Sequence, residues 1–372
     1  MSQSQLRILH LVNNFGVGGL ESVIRQIVLT PCSELQPHVC VLSMAGRFAK
    51  AVAEEGVPLH HVDRKKKKKR IGATIAEISE LVARWQIDVI HCHDSSSWFF
   101  GAIVGKKISK RVVVTRHGRL EEWRWKTIAL NKILSLLTDR IVAVSPEVRD
   151  DLVQREFIKG SKVDVIYNGI NLEPFAVAGS KEAAKNKLGL DAGSFVTGTV
   201  TRFYPVKNVE LQIDMVERLK DRIPQLKHLI VAPIANDLGR KIKADIAERG
   251  LEGNIVLLGY REDIPQVLKA MDLFVLTSLS EGTSIALIEA IAANLPVVVS
   301  NVGGNPNLVE DGVNGFLFDL DKEGDFEAKV LRVYENRDVA EKFASQQRGI
   351  AEKFSEKKMI ANYKFIYEKS CR

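Results

Sequence analysis

Two glutamates that are eight residues apart give the clearest chemical signal in this 372-residue chain. They lie in the stretch SLSEGTSIALIEAIAANLP, in which Glu281 precedes a predicted helix and Glu289 lies inside it. Eight helical residues rise about 12 Å, which does not suit the carboxylate pair, about 5 to 9.5 Å apart, of a glycoside hydrolase. The spacing instead indicates that each carboxylate binds hydroxyl groups at one end of a long ligand.

The start of the same helix is a predicted anion-binding position. The first backbone amides of a helix have no partner within it, so those of Thr283, Ser284 and Ile285 would face phosphates or a sugar ring. Glu289 stands among apolar residues of this helix. Because an unpaired buried charge is costly, we expect its carboxylate to have a binding partner.

Two cations at a predicted strand end suit a diphosphate. Arg202 and Lys207 lie five residues apart across Pro205, just before a helical pattern. A guanidinium binds phosphate oxygens in pairs and an ammonium adds a point charge, although two solvated surface charges are the alternative. The loop after the first strand contains Gly18 and Gly19, and phosphate contact and an ordinary strand–helix turn are equally compatible with it.

Histidines and cysteines give weaker signals. His91 and His93 would share one face of a strand and could begin a metal site, but no third ligand stands at a useful spacing. We therefore expect no metal, and we expect His93 or Asp94 to lie near an acceptor substrate. The four cysteines have no paired spacing, and no long apolar segment is present, which is typical of a cytoplasmic protein with reduced thiols.

Short β-branched runs alternate with amphipathic helical patterns, which predicts parallel sheets with crossover helices. We expect an α/β protein with two Rossmann-like, doubly wound domains facing across a cleft that strand-end loops rim. The predicted N-terminal domain covers residues 1–175, a linker 176–190, and the C-terminal domain 191–350, with a last helix in 351–372 returning to the first domain. The predicted strands cover residues 6–12, 38–43, 58–62, 88–93, 112–117, 140–145, 163–169, 195–202, 227–232, 254–259, 272–278, 295–300 and 314–318.

Several stretches together resemble the family 4 glycosyltransferases, which have the two-domain GT-B fold. They are SEGTSIALIEAIAANLPVVVSNVGGNPNLVEDGVNGFLF, VIYNGIN, TRFYPVKN and LGYREDIPQVLKAMDLFVLTS. The resemblance implies retaining transfer of a sugar from a nucleotide-sugar donor to a glycan or lipid-linked acceptor, without a metal or other cofactor. Bacterial polysaccharide or lipopolysaccharide biosynthesis is the implied setting.

The resemblance also implies roles for the candidate residues. Glu289 would hold the donor ribose and Glu281 the transferred sugar, while Arg202 and Lys207 would bind the diphosphate. His117, at a predicted strand end, would line the catalytic centre. The remaining residues of the implied donor site are Gly18, Gly19, Tyr260, Arg261, Thr283, Ser284 and Ile285.

Alternatives are open for the donor nucleotide and for the function. The segment LIVAPIANDLGR replaces a glycine-rich turn that is common in the family, so the donor nucleotide is not identified. A nucleotide-sugar epimerase of the same architecture and a non-catalytic nucleotide-sugar-binding module are the alternative functions.

A run of seven basic residues dominates the charge of the chain, whose net value is +7. Residues 1–190 hold 29 Lys and Arg against 19 Asp and Glu, whereas residues 191–372 hold 24 against 27. The excess is thus confined to one loop and one half, which argues against a nucleic-acid-binding protein. We expect the run to touch an anionic membrane surface from the cytoplasmic side, with a solvated loop as the alternative. The run consists of Arg64, Lys65, Lys66, Lys67, Lys68, Lys69 and Arg70.

Overall fold

The computed structural model describes residues 5–16, 18–64, 70–118, 124–177 and 179–371. The chain divides into two compact units, of which unit 1 comprises Met1–Ile170 and Phe354–Arg372 and unit 2 comprises Asn171–Lys353. Each unit contains a parallel sheet with crossover helices, as the sequence predicts. No helix among the described residues is long and apolar enough to cross a membrane.

Unit 1 is built on a parallel sheet whose seven described strands have the order β3-β2-β1-β4-β5-β6-β7. A π-helical turn follows its helix α6. The elements in chain order are β1 (Leu6–Phe15), α1 (Gly19–Leu29), β2 (Leu35–Ala45), α2 (Arg47–Glu54), β3 (Leu59–His61), α3 (Ile71–Arg84), β4 (Val89–Cys92), α4 (Ser95–Lys107), β5 (Arg111–Arg116), α5 (Trp125–Leu136), β6 (Arg140–Ala143), α6 (Pro146–Asp150) and β7 (Val163–Val165).

Unit 2 is built on a parallel sheet whose six described strands have the order β10-β9-β8-β11-β12-β13. Its elements are α7 (Glu173–Ala176), α8 (Lys181–Lys187), β8 (Phe195–Val200), α9 (Glu210–Leu219), β9 (Leu226–Val231), α10 (Asp237–Glu248), β10 (Ile255–Leu257), α11 (Ile264–Ala270), β11 (Leu273–Leu276), α12 (Ile285–Ala292), β12 (Val297–Ser300), β13 (Phe316–Phe318), α13 (Asp325–Glu335) and α14 (Arg337–Ala351). The last helix, α15 (Glu356–Cys371), belongs to unit 1.

The strand predictions are confirmed, because each predicted run overlaps an observed strand. Covered on both faces by helices, these strands are continuous apolar runs rather than alternating ones. Val112, Val113 and Val114 of β5 are all buried, and so are Val297, Val298 and Val299 of β12. The sequence signal is strong for this reason.

Each sheet has one point where the strand order reverses direction. In unit 1 this point lies between β1 and β4, and in unit 2 between β8 and β11. At such a point the loops that follow the two strands diverge to opposite faces of the sheet, which leaves a crevice at their carboxyl ends. The candidate residues should therefore lie in the loops after these strands.

The prediction of a linker over residues 176–190 is wrong. Helix α8 occupies the middle of this range and packs on α11 within unit 2. Its Lys185 is buried, and the Nζ atom donates to Asp272 Oδ2 at 2.9 Å and to the carbonyl oxygen of Ser194 at 2.7 Å. The small and polar composition of this segment reflects a short helix that is held by a buried ion pair.

This ion pair gives a prediction for stability. Replacing Lys185 by methionine removes a buried partner of Asp272, which should lower the free energy of unfolding by about 3 kcal/mol. Lys181 is the matched control, because it pairs with the same carboxylate at 2.7 Å while its side chain is 46% exposed. Lys181→Met should lower stability by less than about 1 kcal/mol. Urea unfolding followed by circular dichroism measures both, and equal losses would contradict the buried role of α8.

Candidate functional site

The loops that follow β8 and β11 meet at the carboxyl edge of the unit 2 sheet. Lys207 ends a short 3-10 turn after β8, and Glu281 lies in the loop after β11. The Nζ atom of Lys207 donates to Glu281 Oε1 at 2.7 Å. The hydroxyl of Thr277 joins the same two loops, because it donates to the carbonyl oxygen of Asn208 at 2.8 Å. The structure thus brings together a predicted phosphate ligand and a predicted sugar ligand.

The carboxylate of Glu281 is held by protein groups on one oxygen only. Besides Lys207, the Ser278 hydroxyl donates to Oε1 at 2.6 Å, and the residue is 8% exposed. Within the described ranges no residue donates to Oε2. That oxygen can accept a hydrogen bond from a ligand hydroxyl. Ser278 was not singled out from the sequence, and its position three residues before Glu281 was the available signal.

The loop after β12 packs against the backbone of Glu281. The amide of Gly304 donates to the Glu281 carbonyl oxygen at 3.2 Å. Gly303 has a φ of +50°, and a Cβ atom placed on it would overlap the same oxygen. Only glycine fits here, for both reasons. The two glycines therefore allow the close approach that positions Glu281.

Glu289 lies in α12 with its side chain partly exposed. No described residue donates a hydrogen bond to its carboxylate. Burial by the surrounding protein raises the pKa of this carboxyl to about 7. A ligand that donates hydrogen bonds to this carboxylate would favour its ionised form, which burial disfavours.

The N-terminus of α12 is capped by Ser284, whose Oγ accepts from the Leu287 amide at 3.4 Å. Thr283 and Ser284 are buried, and Ile285 is the first residue of the helix. The positive end of the helix dipole thus lies in the same loop as Glu281. The arrangement suits an anion bound in front of this helix.

Arg202 is exposed, and its guanidinium lies over the Tyr204 ring at 5.2 Å from the ring centroid. The segment that carries it is held by Asn236, whose Nδ2 donates to the Phe203 carbonyl oxygen at 2.5 Å. The same side chain caps α10 by accepting from the Gly239 amide at 2.8 Å. The unusual loop before α10 therefore supports the position of Arg202.

Tyr260 and Arg261 follow β10. Tyr260 is 40% exposed, whereas the guanidinium of Arg261 binds both carboxylate oxygens of Asp263 at 2.7 and 2.5 Å. These hydrogen bonds raise the pKa of Arg261 and lower that of Asp263. A ligand of Arg261 would have to share its guanidinium with Asp263.

In unit 1 three imidazoles form a chain. The Nε2 atom of His117 lies 3.3 Å from His93 Nδ1, and His93 Nε2 lies 3.0 Å from His10 Nδ1. Burial lowers the pKa of His10 and of His117 to about 3 and that of His93 well below its usual value, so all three rings are neutral near pH 7. Each ring's tautomer depends on its neighbour. His10 was missed from the sequence, although a histidine inside the apolar run LRILHLV was a signal.

A second pair of contacts occupies His91. Its ring nitrogens lie 2.8 Å from the Tyr367 hydroxyl of α15 and 2.8 Å from the Thr115 hydroxyl of β5. His10, His91 and His93 each have a ring nitrogen within 4.8 Å of the others, so these three side chains could hold a metal ion. In the structure, however, the nitrogens of His91 and His93 are engaged in hydrogen bonds. The expected absence of a metal stays a prediction.

The carboxylate of Asp94 is bound by two backbone amides. Its Oδ1 accepts from the Ser97 amide at 2.9 Å at the start of α4, and its Oδ2 accepts from the Asn13 amide at 2.6 Å. Both oxygens therefore already accept hydrogen bonds from backbone amides, one near the end of β1 and one in the first turn of α4. Gly18 precedes α1 and Gly19 is its exposed first residue. Of the two predicted acceptor-side residues, His93 contacts His117, and Asp94 accepts hydrogen bonds from backbone amides of unit 1.

The basic run is only partly described, because Lys65–Lys69 lie outside the described residues. Arg70 is exposed at the start of α3. Arg64 is half-buried, with its guanidinium over the Phe100 ring at 5.2 Å from the centroid. That Arg64 contributes to a membrane surface stays a prediction, and the structure adds that this side chain packs partly on the protein.

Comparisons with known proteins agree with the fold and with the predicted family. Residues 17–174 match the model of the family described as Glycosyltransferase Family 4, and residues 180–349 match that described as Glycosyl transferases group 1. The chain is 33% identical over 276 residues, 71% of this chain and 70% of the relative, to UDP-Gal:alpha-D-GlcNAc-diphosphoundecaprenol alpha-1,3-galactosyltransferase of Escherichia coli. It is 22% identical to the putative glycosyltransferase EpsD of Bacillus subtilis, over 79% of this chain and 80% of that one.

A solved structure shows the same fold over nearly the whole chain. HepE of Anabaena, crystallised in complex with UDP, superposes with a TM-score of 0.87 at 23% identity, covering 98% of this chain and 100% of that chain. The two-unit arrangement of parallel sheets is therefore the GT-B fold.

The contact between Gly303 and Glu281 gives a prediction. Gly303→Ala forces a side chain against the Glu281 carbonyl oxygen, whereas a Cβ atom added to Gly312, at φ +74°, would meet no atom within 4 Å. Both alanines are strained by positive φ, but only Gly303→Ala also has a clash. We expect it to lower the free energy of unfolding by at least about 2 kcal/mol more than Gly312→Ala in urea titrations. Equal losses would show that this close approach does not position Glu281.

Proposed function

The chain belongs to family 4 of the glycosyltransferases, and from this premise we propose that it transfers a hexose from a nucleotide sugar with retention of anomeric configuration. We propose a glycan or lipid-linked acceptor in bacterial polysaccharide or lipopolysaccharide biosynthesis. The single observation that carries the site assignment is the contact of Lys207 with Glu281 at 2.7 Å. The Escherichia coli relative is a galactosyltransferase by name, which favours transfer over the epimerase and binding-module alternatives.

We propose a UDP-hexose, and UDP-galactose first, as the donor. Two findings support this choice: the relative that is 33% identical is named for UDP-Gal, and the structural neighbour HepE was crystallised with UDP. The name of the same relative contains a diphosphoundecaprenol-linked GlcNAc, which supports a lipid-linked sugar as the acceptor.

In the proposed donor site each group of unit 2 meets one part of the ligand. Glu289 accepts hydrogen bonds from the ribose hydroxyls, and the free Oε2 of Glu281 accepts one from a hydroxyl of the hexose. Lys207, Arg202 and the first amides of α12 bind the diphosphate. Tyr260 is exposed at the position proposed for the base. No resident metal is required, because these cationic groups provide the charge stabilisation.

In the proposed reaction the bond between the anomeric carbon and the phosphate oxygen breaks as the acceptor oxygen bonds to the same face of the sugar. The positive charge that develops on the sugar is brief, and the negative charge develops on the leaving UDP. Lys207 and Arg202 stabilise that diphosphate. A phosphate oxygen of the leaving group receives the proton of the acceptor hydroxyl, so atoms and charges balance.

We propose that unit 1 binds the acceptor, with His117 and His93 at the carboxyl edge of its sheet. The chain from His117 through His93 to His10 supports this role, because it holds His117 in one ring orientation while burial keeps the ring neutral. A neutral imidazole can donate a hydrogen bond to a sugar hydroxyl, or accept one from it, without adding charge.

We also propose that the protein works at the inner face of the cytoplasmic membrane.

Transfer of labelled galactose from UDP-galactose to a GlcNAc-diphospholipid tests the function. Lys207→Ala should lower kcat/KM by at least about a hundredfold, because it removes charge stabilisation of the leaving group. Arg202→Ala should also lower it, while Arg222→Ala, another exposed arginine of unit 2, serves as the control and should not. We expect the product to have the same anomeric configuration as the donor. We also expect it to form when a metal chelator is present. Wild-type rates for both Lys207→Ala and Glu289→Ala would contradict the assignment.

The raised pKa of Glu289 predicts a pH dependence of donor binding. The ionised carboxylate is the better acceptor for ribose hydroxyls, and with a pKa of about 7 it becomes protonated as the pH falls through 7. The affinity for an intact UDP-hexose should therefore fall by up to about tenfold from pH 8 to pH 6. Calorimetry should show proton release on binding below pH 7 for the wild type and a nearly flat profile for Glu289→Gln. Parallel profiles for both proteins would mean that Glu289 does not contact the donor.

A further inference from the structure

Helix α5 of unit 1 buries Leu134 together with polar residues, and it exposes several large apolar residues to solvent. Trp125, Ile133 and Leu136 are 73%, 57% and 69% exposed, and Leu130 is 43% exposed. In contrast, Asn131 and Ser135 of the same helix are buried. A helix on a globular protein normally turns its apolar stripe inward, so this arrangement needs an explanation. We call the four exposed apolar residues the outward face.

The buried polar groups hold the helix in this rotation. The Asn131 amide donates to Glu156 Oε2 at 2.6 Å, and Glu156 in turn pairs with Arg116 at 3.2 Å. Lys162 donates to the carbonyl oxygen of Ser135 at 2.9 Å. Rotating α5 to bury its outward face would break these hydrogen bonds and leave buried polar groups without partners. The exposure of the outward face is therefore built into the packing of unit 1.

Phe157 extends the apolar surface beside α5. It is 66% exposed, and its carbonyl oxygen accepts a hydrogen bond from Lys132 of α5. Its φ of +55° lies in the left-handed region, which is unusual for a large side chain. Strain of this kind persists where the surrounding structure imposes it, commonly at functional surfaces.

The charges around the outward face favour an anionic partner. From Arg124 to Thr138 the chain contains three cations and no Asp or Glu. Lys126 is exposed, and its Nζ atom lies 5.7 Å from the centre of the Trp125 ring. A second copy of this chain docked on the same face in a two-fold dimer would bring like charges together. An apolar helical face with an exposed tryptophan and flanking lysines is the composition of helices that lie in a membrane interface.

The rest of unit 1 has a matching charge and layout. It holds 31 Lys and Arg against 19 Asp and Glu, whereas unit 2 holds 22 against 27. Helix α3 packs on α4 and α4 on α5. Because each of these helices follows a parallel strand, they all start at the carboxyl edge of the sheet. Arg70 and the 52% exposed Ile71 begin α3 and so lie at the same edge as Trp125.

We propose that the outward face of α5 inserts into the interfacial region of an anionic lipid bilayer, where it brings unit 1 to a lipid-linked acceptor. The inference rests on the proposed function for the nature of that acceptor. It assigns the apolar part of membrane binding to α5, in contrast to the charge-only contact expected of the basic run. Salt screens the attraction between lysines and lipid head groups, whereas it does not weaken the burial of apolar side chains in this way.

Co-sedimentation with vesicles tests the proposal. The wild type should bind vesicles of phosphatidylglycerol and phosphatidylcholine, and a part of this binding should persist in high salt. The double variant Ile133→Ser, Leu136→Ser should lose that salt-resistant part, with its partition coefficient reduced at least about tenfold. Changing residues 65–69 to glutamine should instead remove the salt-sensitive part. The control is Phe365→Ser, which alters an apolar residue that is 62% exposed on α15 of the same unit.

Fluorescence gives an independent readout. Lipids brominated near the head group should quench the emission of the wild type more than that of Trp125→Phe, because Trp125 would lie in the interface. Equal quenching, or wild-type partitioning of the double variant, would overturn the proposal. A wild-type dimer that the double variant abolishes would also overturn it, since a second copy would then cover the outward face.

The outcome can be separated from that of the proposed function. The substituted positions belong to unit 1 and lie far in sequence from the unit 2 residues that are proposed to bind the donor. Stabilisation of the variants by UDP-galactose in thermal unfolding should therefore equal that of the wild type. Loss of membrane binding with intact donor binding supports the role of α5. Membrane binding by a wild type that binds no nucleotide sugar would leave the role of α5 intact and refute the donor assignment.

Discussion

The ion pair between Lys207 and Glu281 is the interaction on which the candidate site depends. It joins the two loops that diverge at the reversal point of the unit 2 sheet, 74 residues apart in sequence. Thr277 joins the same two loops, while Ser278 and the close approach of Gly303, in the loop after β12, hold Glu281. In this arrangement neither charge is left unpaired before a ligand arrives. In the proposed function a diphosphate would compete with Glu281 for the ammonium, and the released carboxylate oxygens would face the hexose.

The two units use their polar interior groups differently. In unit 2 the carboxylate of Glu289 has a pKa near 7 and no described donor, so the site is incomplete until a ligand supplies one. In unit 1 the histidines bond to one another and to the hydroxyls of Thr115 and Tyr367, and burial keeps them neutral. The buried Nδ1 atom of His117 is the exception, because no described residue bonds to it. The Glu289 carboxylate favours a ligand with hydroxyl groups. The contacts among the histidines fix the orientations of their rings.

Much of this was predictable from the sequence where the signal is local. Buried parallel strands are continuous apolar runs, and the positions of Glu281 and Glu289 before and within one helix follow from the apolar pattern of α12. Contacts between distant segments were not predictable. Helix α8 has the composition of a linker, and its place in unit 2 depends on a bond from Lys185 to a residue 87 positions away. The same holds for the packing of Arg64 on Phe100.

The orientation of α5 is the clearest case that the sequence could not predict, because this helix has apolar residues on more than one side. Which side faces inward is decided by the bond of Asn131 to Glu156, 25 residues later. Capping of α4 by Asp94 was likewise hidden, since a carboxylate near a strand end fits a cap and a ligand equally well. The roles of the site residues stay predictions of the family resemblance that the geometry of each unit supports.

The proposed donor site can be tested by a crystal structure of the protein with a bound, unhydrolysed UDP-hexose. We expect ribose hydroxyls on Glu289, the diphosphate against Lys207, Arg202 and the start of α12, and a hexose hydroxyl on Glu281. A nucleotide bound elsewhere, with the contact of Lys207 to Glu281 unchanged and Glu289 still without a donor, would contradict it.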